Sequence, residues 1–320
     1  MFNKLLMDSM KKMILALAAV VFSAGLVSAQ DLASATETYN NGAEQFQNGD
    51  KVAALDLFKK ALTMGEALGD EGADIVANCK NTIPVLTMSI AKDLVREKEY
   101  DAAIEKINEA QKVAGDYEND EVIADAAELL PQVLSAAGTA AYTAKEMEKA
   151  VDYFEKSLAL DADNGATALR LGQALNSLGK VEEAKAAFTT AMNNGQEDNA
   201  KKQLANIILR EAQAALQAGK NADVVSMIAK ADEDGMVTNA AAYQLAASAS
   251  QKLNKAADAI KYYEKFLSAD PDNKNAGAIA YTVGALYQGQ NNKAKALEFY
   301  KKAQEKGYAQ AADMVKALSQ

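Results

Sequence analysis

Residues 165–198 read GATALRLGQALNSLGKVEEAKAAFTTAMNNGQED, and this stretch decides the fold. Counted from Gly165, the residues Leu171, Gly172, Leu175, Gly179, Ala184, Phe188 and Ala191 fall at positions 7, 8, 11, 15, 20, 24 and 27 of a 34-residue frame. Two antiparallel helices cross at about 8 Å only where the facing ridges carry Gly or Ala, and the large residues then fill the flanking grooves. Gly172, Ala184 and Ala191 are therefore read as the crossing points, and Leu171, Leu175 and Phe188 as the filling.

This spacing resembles the tetratricopeptide repeat, with small residues at 8, 20 and 27 and large apolar ones at 7, 11 and 24. The frame extends in both directions. Gly42, Gly49, Ala54, Phe58 and Ala61 fit a first unit, and Ala91, Leu94, Tyr100, Ala103, Ile107 and Ala110 a second. Gly138, Ala150 and Phe154 fit a third, with Ser157 where Ala is expected. Ala212, Ala215, Gly219, Ile228 and Ala231 fit a fifth, with Val224 at position 20; Ala247, Ala259 and Tyr263 fit a sixth, with Phe266 at position 27. Val283, Gly284, Tyr287, Ala296, Tyr300 and Ala303 fit a seventh. The resemblance implies an all-α, right-handed superhelical solenoid of antiparallel helix pairs. Its units are expected at about 35–68, 84–117, 131–164, 165–198, 205–238, 240–273 and 277–310, with a capping helix at 309–320.

Ala54 to Ala103 is 49 residues and Ala103 to Ala150 is 47, so helices are expected to be lengthened before units two and three. Pro84 is read as the start of a first helix capped by Asn81 or Thr82, a kink being the alternative. Pro131 is read the same way.

Composition narrows the chemistry. The 320 residues contain no His, one Cys, no Trp and three Pro, and 6% are aromatic. Without His, Ser-His, Cys-His and His-metal constellations are excluded, and one Cys leaves no intrachain disulfide and no Cys-based zinc site. No catalytic residue, cofactor or metal is expected. The net charge of −10 argues against nucleic acid, which requires a dense basic patch. Asp116 to Glu121 and Asp161 to Asn164 are acidic clusters that lack the order of a calcium loop, and are read as turns.

Lys11 and Lys12 precede an apolar run from Met13 to Val27, which ends in Val27-Ser28-Ala29 before Gln30. This is the order of a cleavable secretory signal at residues 1–29, with cut between Ala29 and Gln30 and translation starting at Met1, Met7 or Met10. An uncleaved anchor is the alternative. Loss of three Lys and one Asp would shift the net charge to −12, and no Cys follows the run to carry a lipid. An exported, periplasmic, soluble product with no integral membrane segment after cleavage is expected.

The resemblance also implies that positions 2, 5, 6, 9, 12 and 13 of each first helix line a groove. In all seven units no Asp or Glu stands there. Tyr39, Phe46, Lys92, Tyr142, Arg170, Gln173, Asn176, Arg210, Gln213, Gln251, Tyr281 and Gln288 do, together with Arg96 and Lys252. Amides offer both donors and acceptors and Arg can fork a carboxylate, so an acidic or extended peptide, or a polar glycan, would suit such a row. The competing reading is that acids merely avoid packed positions. The carboxylate clamp of some family members is not reproduced by Tyr39, Ala43 and Lys92.

A non-catalytic scaffold or assembly adaptor for a protein or peptide is the leading functional expectation. A carbohydrate-binding or glycan-uptake accessory protein and a self-associating structural protein are the alternatives. Cys79 is read as a small buried hydrophobe, an intermolecular disulfide being its alternative.

Overall fold

A computed structural model describes residues 26–237 and 239–320. Among the described residues the chain is all-α, with fifteen α-helices, one short 3-10 turn and no strand. It divides into two compact units, Met1–Ala174 and Leu175–Gln320.

The first unit contains α1 (Leu26–Gln47), α2 (Lys51–Ala67), the 3-10 turn Gly69–Gly72, α3 (Ala73–Glu97), α4 (Tyr100–Asp116), α5 (Asp120–Thr143), α6 (Met147–Leu160) and α7 (Gly165–Ser177) as far as Ala174. From α1 to α6 each helix packs on the next. The second unit contains α8 (Val181–Asn193), α9 (Glu197–Gln217), α10 (Asn221–Glu233), α11 (Ala240–Lys252), α12 (Ala256–Ala269), α13 (Ala276–Gly289), α14 (Lys293–Glu305) and α15 (Ala311–Leu318), again packed in succession.

The crossing points follow from the small residues. Ala54, Phe58 and Ala61 of α2 are fully enclosed, as are Ala184, Phe188 and Ala191 of α8 and Ala296 and Ala303 of α14. A Cβ added at Gly42 would stand 3.1 Å from the ring of Phe58, one at Gly138 2.7 Å from Phe154, and one at Gly284 2.8 Å from Tyr300. In each case the backbone of one helix lies under an aromatic of its partner, a contact that a side chain would prevent.

The turn inside each pair uses one left-handed residue. Gly49 (φ 89°), Gly179 (76°) and Gly219 (74°) stand fifteenth in the frame, where the backbone must reverse with positive φ. Lys98 (64°), Lys145 (65°), Asn254 (58°) and Asn291 (58°) hold the same place in the other pairs. For the two lysines this conformation brings Cβ against the following carbonyl, at a cost of roughly 1–2 kcal/mol each.

Pro84 and Pro131 correct an expectation. Neither starts a helix: both lie inside, within the 25-residue α3 and the 24-residue α5. The helices are lengthened, as the spacing required, and the extra turns lie upstream of the proline in the same helix. A proline within a helix costs about 3 kcal/mol through its missing N–H and its ring. The upstream turns bury Ile75, Cys79 and Ile83 in α3, and Val122 and Ala126 in α5. Burial stabilises by roughly 1.5–3 kcal/mol for each large side chain, enough to carry the helix through. Ser157 of α6, enclosed where Ala was expected, donates its hydroxyl to the Pro131 carbonyl at 2.8 Å.

Cys79 is fully enclosed in the core of the first unit, and burial pushes its thiol pKa up to about 12. That packing suits a small hydrophobe and leaves no surface for an intermolecular disulfide. The segment read as a signal falls largely on residues 1–25, outside the described residues, and Ala29 and Gln30 lie within α1. Among the described residues no helix is long and apolar enough to cross a membrane.

Candidate binding rows on the first helices

In the first unit the row read from the sequence divides between core and surface. Tyr39 is fully enclosed with its ring centroid 5.1 Å from that of Phe58, and Phe46 is 7% exposed, so both belong to the hydrophobic core. Lys92 is tied to Asp125 of α5 at 2.5 Å. Arg96 meets Asp93 at 2.5 Å, and the same carboxylate takes Lys51 of α2 at 2.5 Å. Lys51 and Lys92 thus brace one helix against another, while Arg96 pairs within α3, and the charge of all three is largely compensated. Tyr142 and Gln173 are half-buried. Arg170 is exposed, and among the described residues no carboxylate lies within ion-pair distance of it.

In the second unit Arg210 is exposed and donates from Nη2 to Asn176 Oδ1 at 2.7 Å. Its neighbour Glu211 is occupied by Lys185 at 2.7 Å, so the guanidinium has no carboxylate partner among the described residues. Gln213 is exposed. Gln251 accepts the Tyr263 hydroxyl at 2.7 Å, and Gln288 accepts that of Tyr300 at 2.8 Å. Each amide therefore spends its oxygen inside its own pair and keeps its NH₂ as a donor. Tyr281 is half-buried, with ring centroids of Tyr300 and Tyr308 both 5.1 Å away.

Two clusters were not read from the sequence. In the second unit, Asp232 of α10 accepts the Tyr243 hydroxyl of α11 at 2.6 Å and the ammonium of Lys265 of α12. Those two bonds hold its carboxyl below the usual aspartate range, while burial, then the bond to Asp232, pushes Tyr243 up to about 12. In the first unit, Asp101 of α4 receives Tyr153 and Lys149 of α6, the lysine at 3.2 Å. The Asp232 cluster fastens three successive helices together, and the Asp101 cluster ties α4 to α6, the second helices of neighbouring pairs.

Among the described residues no three His, Cys, Asp or Glu side chains converge to hold a metal. A hollow among Ile208, Leu209, Ile228, Met236 and Val237 has a volume of about 10 Å³, room for roughly one water and for no organic ligand.

Stacked antiparallel helix pairs with small residues at the crossings define a helical-repeat protein. Residues 141–207 and 240–273 match two family descriptions of the tetratricopeptide repeat. Over those residues the chain carries tetratricopeptide repeats. No curated protein matches it. Among solved structures, one titled as the crystal structure of MamA shares 20% identity over 55% of this chain and 96% of its own, with a TM-score of 0.31. Residues 41 to the end of MamA from Desulfovibrio magneticus RS-1 share 16%, over 56% and 96%, with a TM-score of 0.32. YrrB, titled as a TPR protein with an unusual peptide-binding site, shares 18%, over 57% and 91%, with a TM-score of 0.31.

Proposed function

We propose that this chain is a non-catalytic scaffold of the cell envelope that holds a protein partner through an acidic or extended segment laid along the first-helix rows. Arg210 is the observation that carries the reading. In a chain with 44 acidic and 34 basic residues, its guanidinium is exposed, fixed by Asn176 and unmatched by any carboxylate among the described residues. One nitrogen is occupied by the amide, and the remaining donors suit the fork of a carboxylate. Arg170, exposed and likewise unmatched, supports the same chemistry in the first unit. The NH₂ groups of Gln251 and Gln288 supply donors for a backbone carbonyl.

Placement in the envelope rests on the charged, apolar and small-residue order of residues 1–29. Removal of those residues and a solenoid of seven pairs from residue 30 onward belong to the same reading. The test is capture with chemical crosslinking from an envelope extract, beside the double variant Arg170→Glu, Arg210→Glu. A partner held by the wild type and lost from a variant of unchanged melting temperature supports the row. A partner held equally by both overturns it.

A further inference from the structure

The two ends of the chain carry opposite charge. Residues 30–74, which run from α1 to the start of α3, hold nine carboxylates against three lysines. Two of those lysines are engaged further along the chain, Lys51 with Asp93 and Lys59 with Glu109 at 2.8 Å. Asp31, Glu37, Glu44, Asp56 and Glu66 are left exposed, with no cation in ion-pair range among the described residues. Residues 276–320, which make α13, α14 and α15, reverse the balance with six lysines against three carboxylates. Glu298 is shared by Lys295 and Lys302, and Lys306 reaches Asp272. Lys293, Lys301 and Lys316 remain exposed and unmatched among the described residues.

The basic end also keeps apolar surface. A cap that closes a repeat array presents a polar outer face. α15 packs on α14 and buries Ala311, yet Met314, Val315 and Leu318, one helical face with Ala311, stay half-exposed beside those lysines.

We infer that this end binds the acidic first pair of a second copy of the chain, head to tail. Pairing two basic ends, or two acidic ends, sets like charges together and is disfavoured; pairing unlike ends steers encounter and fixes register. Such a contact uses different surfaces on the two copies, so it propagates into open chains unless the rotation closes a ring. The charged side chains that carry it, on α1, α2, α14 and α15, are not those of the row around Arg210.

Sedimentation velocity of the full-length chain tests it, at about 20 mM and about 0.5 M salt, where exposed charges pass from long-range to strongly screened. Concentration-dependent larger species are expected at the lower salt and their loss at the higher. The triple variant Lys293→Glu, Lys301→Glu, Lys316→Glu should sediment as a monomer, as should the triple variant Asp31→Lys, Glu37→Lys, Glu44→Lys. Mixed, the two should associate again, because the intact acidic end of the first variant meets the intact basic end of the second. Far-UV circular dichroism checks that both fold; should one fail, the other, added to wild type, must shorten the assemblies. A wild type that stays monomeric at low salt, variants that associate like the wild type, or a mixture that forms no complex would each overturn the inference.

Discussion

The backbone of α5 at Gly138 lies against the ring of Phe154 in α6, so closely that a Cβ there would stand 2.7 Å from two ring carbons. Phe154 is fully enclosed and has nowhere to retreat. Two effects then oppose each other in Gly138→Ala: Ala favours the helix by about 1 kcal/mol over Gly, and overpacking costs typically 1–3 kcal/mol. With a contact this short the clash wins. The variant should lower the melting temperature, whereas Gly115→Ala, exposed near the end of α4 with nothing within 4 Å of the added carbon, should leave it unchanged or raise it.

Lys98 and Lys145 hold the left-handed turn that Gly49, Gly179 and Gly219 hold elsewhere. Replacing either lysine with Gly removes the strain of the L side chain and adds some unfolded-state entropy, so a net gain of about 0.5–1 kcal/mol is expected. Chemical denaturation of Lys145→Gly should show a higher midpoint at an unchanged slope. A lower midpoint would mean that the lysine side chain contributes more than its backbone costs.

Asp232 titrates below its ordinary value of 3.8, because Lys265 and Tyr243 favour the charged form. A carboxyl depressed in the folded state adds stability that is present above 3.8 and is lost as the pH falls through the folded value. Asp232→Asn should therefore be less stable than wild type near neutrality, and the difference should shrink as the pH is taken below 3.8. Thermal melts of both proteins across that range measure it; a constant difference would assign the loss to packing.

The 34-residue spacing made the crossing points legible, since Gly42, Ala54 and Phe58 are contact geometry written as residue size. The prolines misled, because local chemistry at Pro84 favours a helix start while the burial of Ile75, Cys79 and Ile83 upstream is a tertiary effect. The charge of the first-helix row was only half legible. Asp125, which compensates Lys92, sits in the extra turns of α5, outside the 34-residue frame. Tyr263 with Gln251 and Tyr300 with Gln288 show the opposite case: both pairs stand twelve residues apart in the sequence, and the hydroxyl that occupies each amide could have been inferred from that recurrence.

Because α3 runs unbroken through Pro84, one apolar cluster extends from Ala35 to Ile90 and joins α1, α2 and the front of α3. The cooperative block at this end is therefore longer than a repeat. Loss of α1 would strip the cover from Phe58 and Cys79 together, and hydrogen exchange across residues 35–90 should proceed in a single opening event, so that the chain frays here by a much larger step than the repeat length alone dictates.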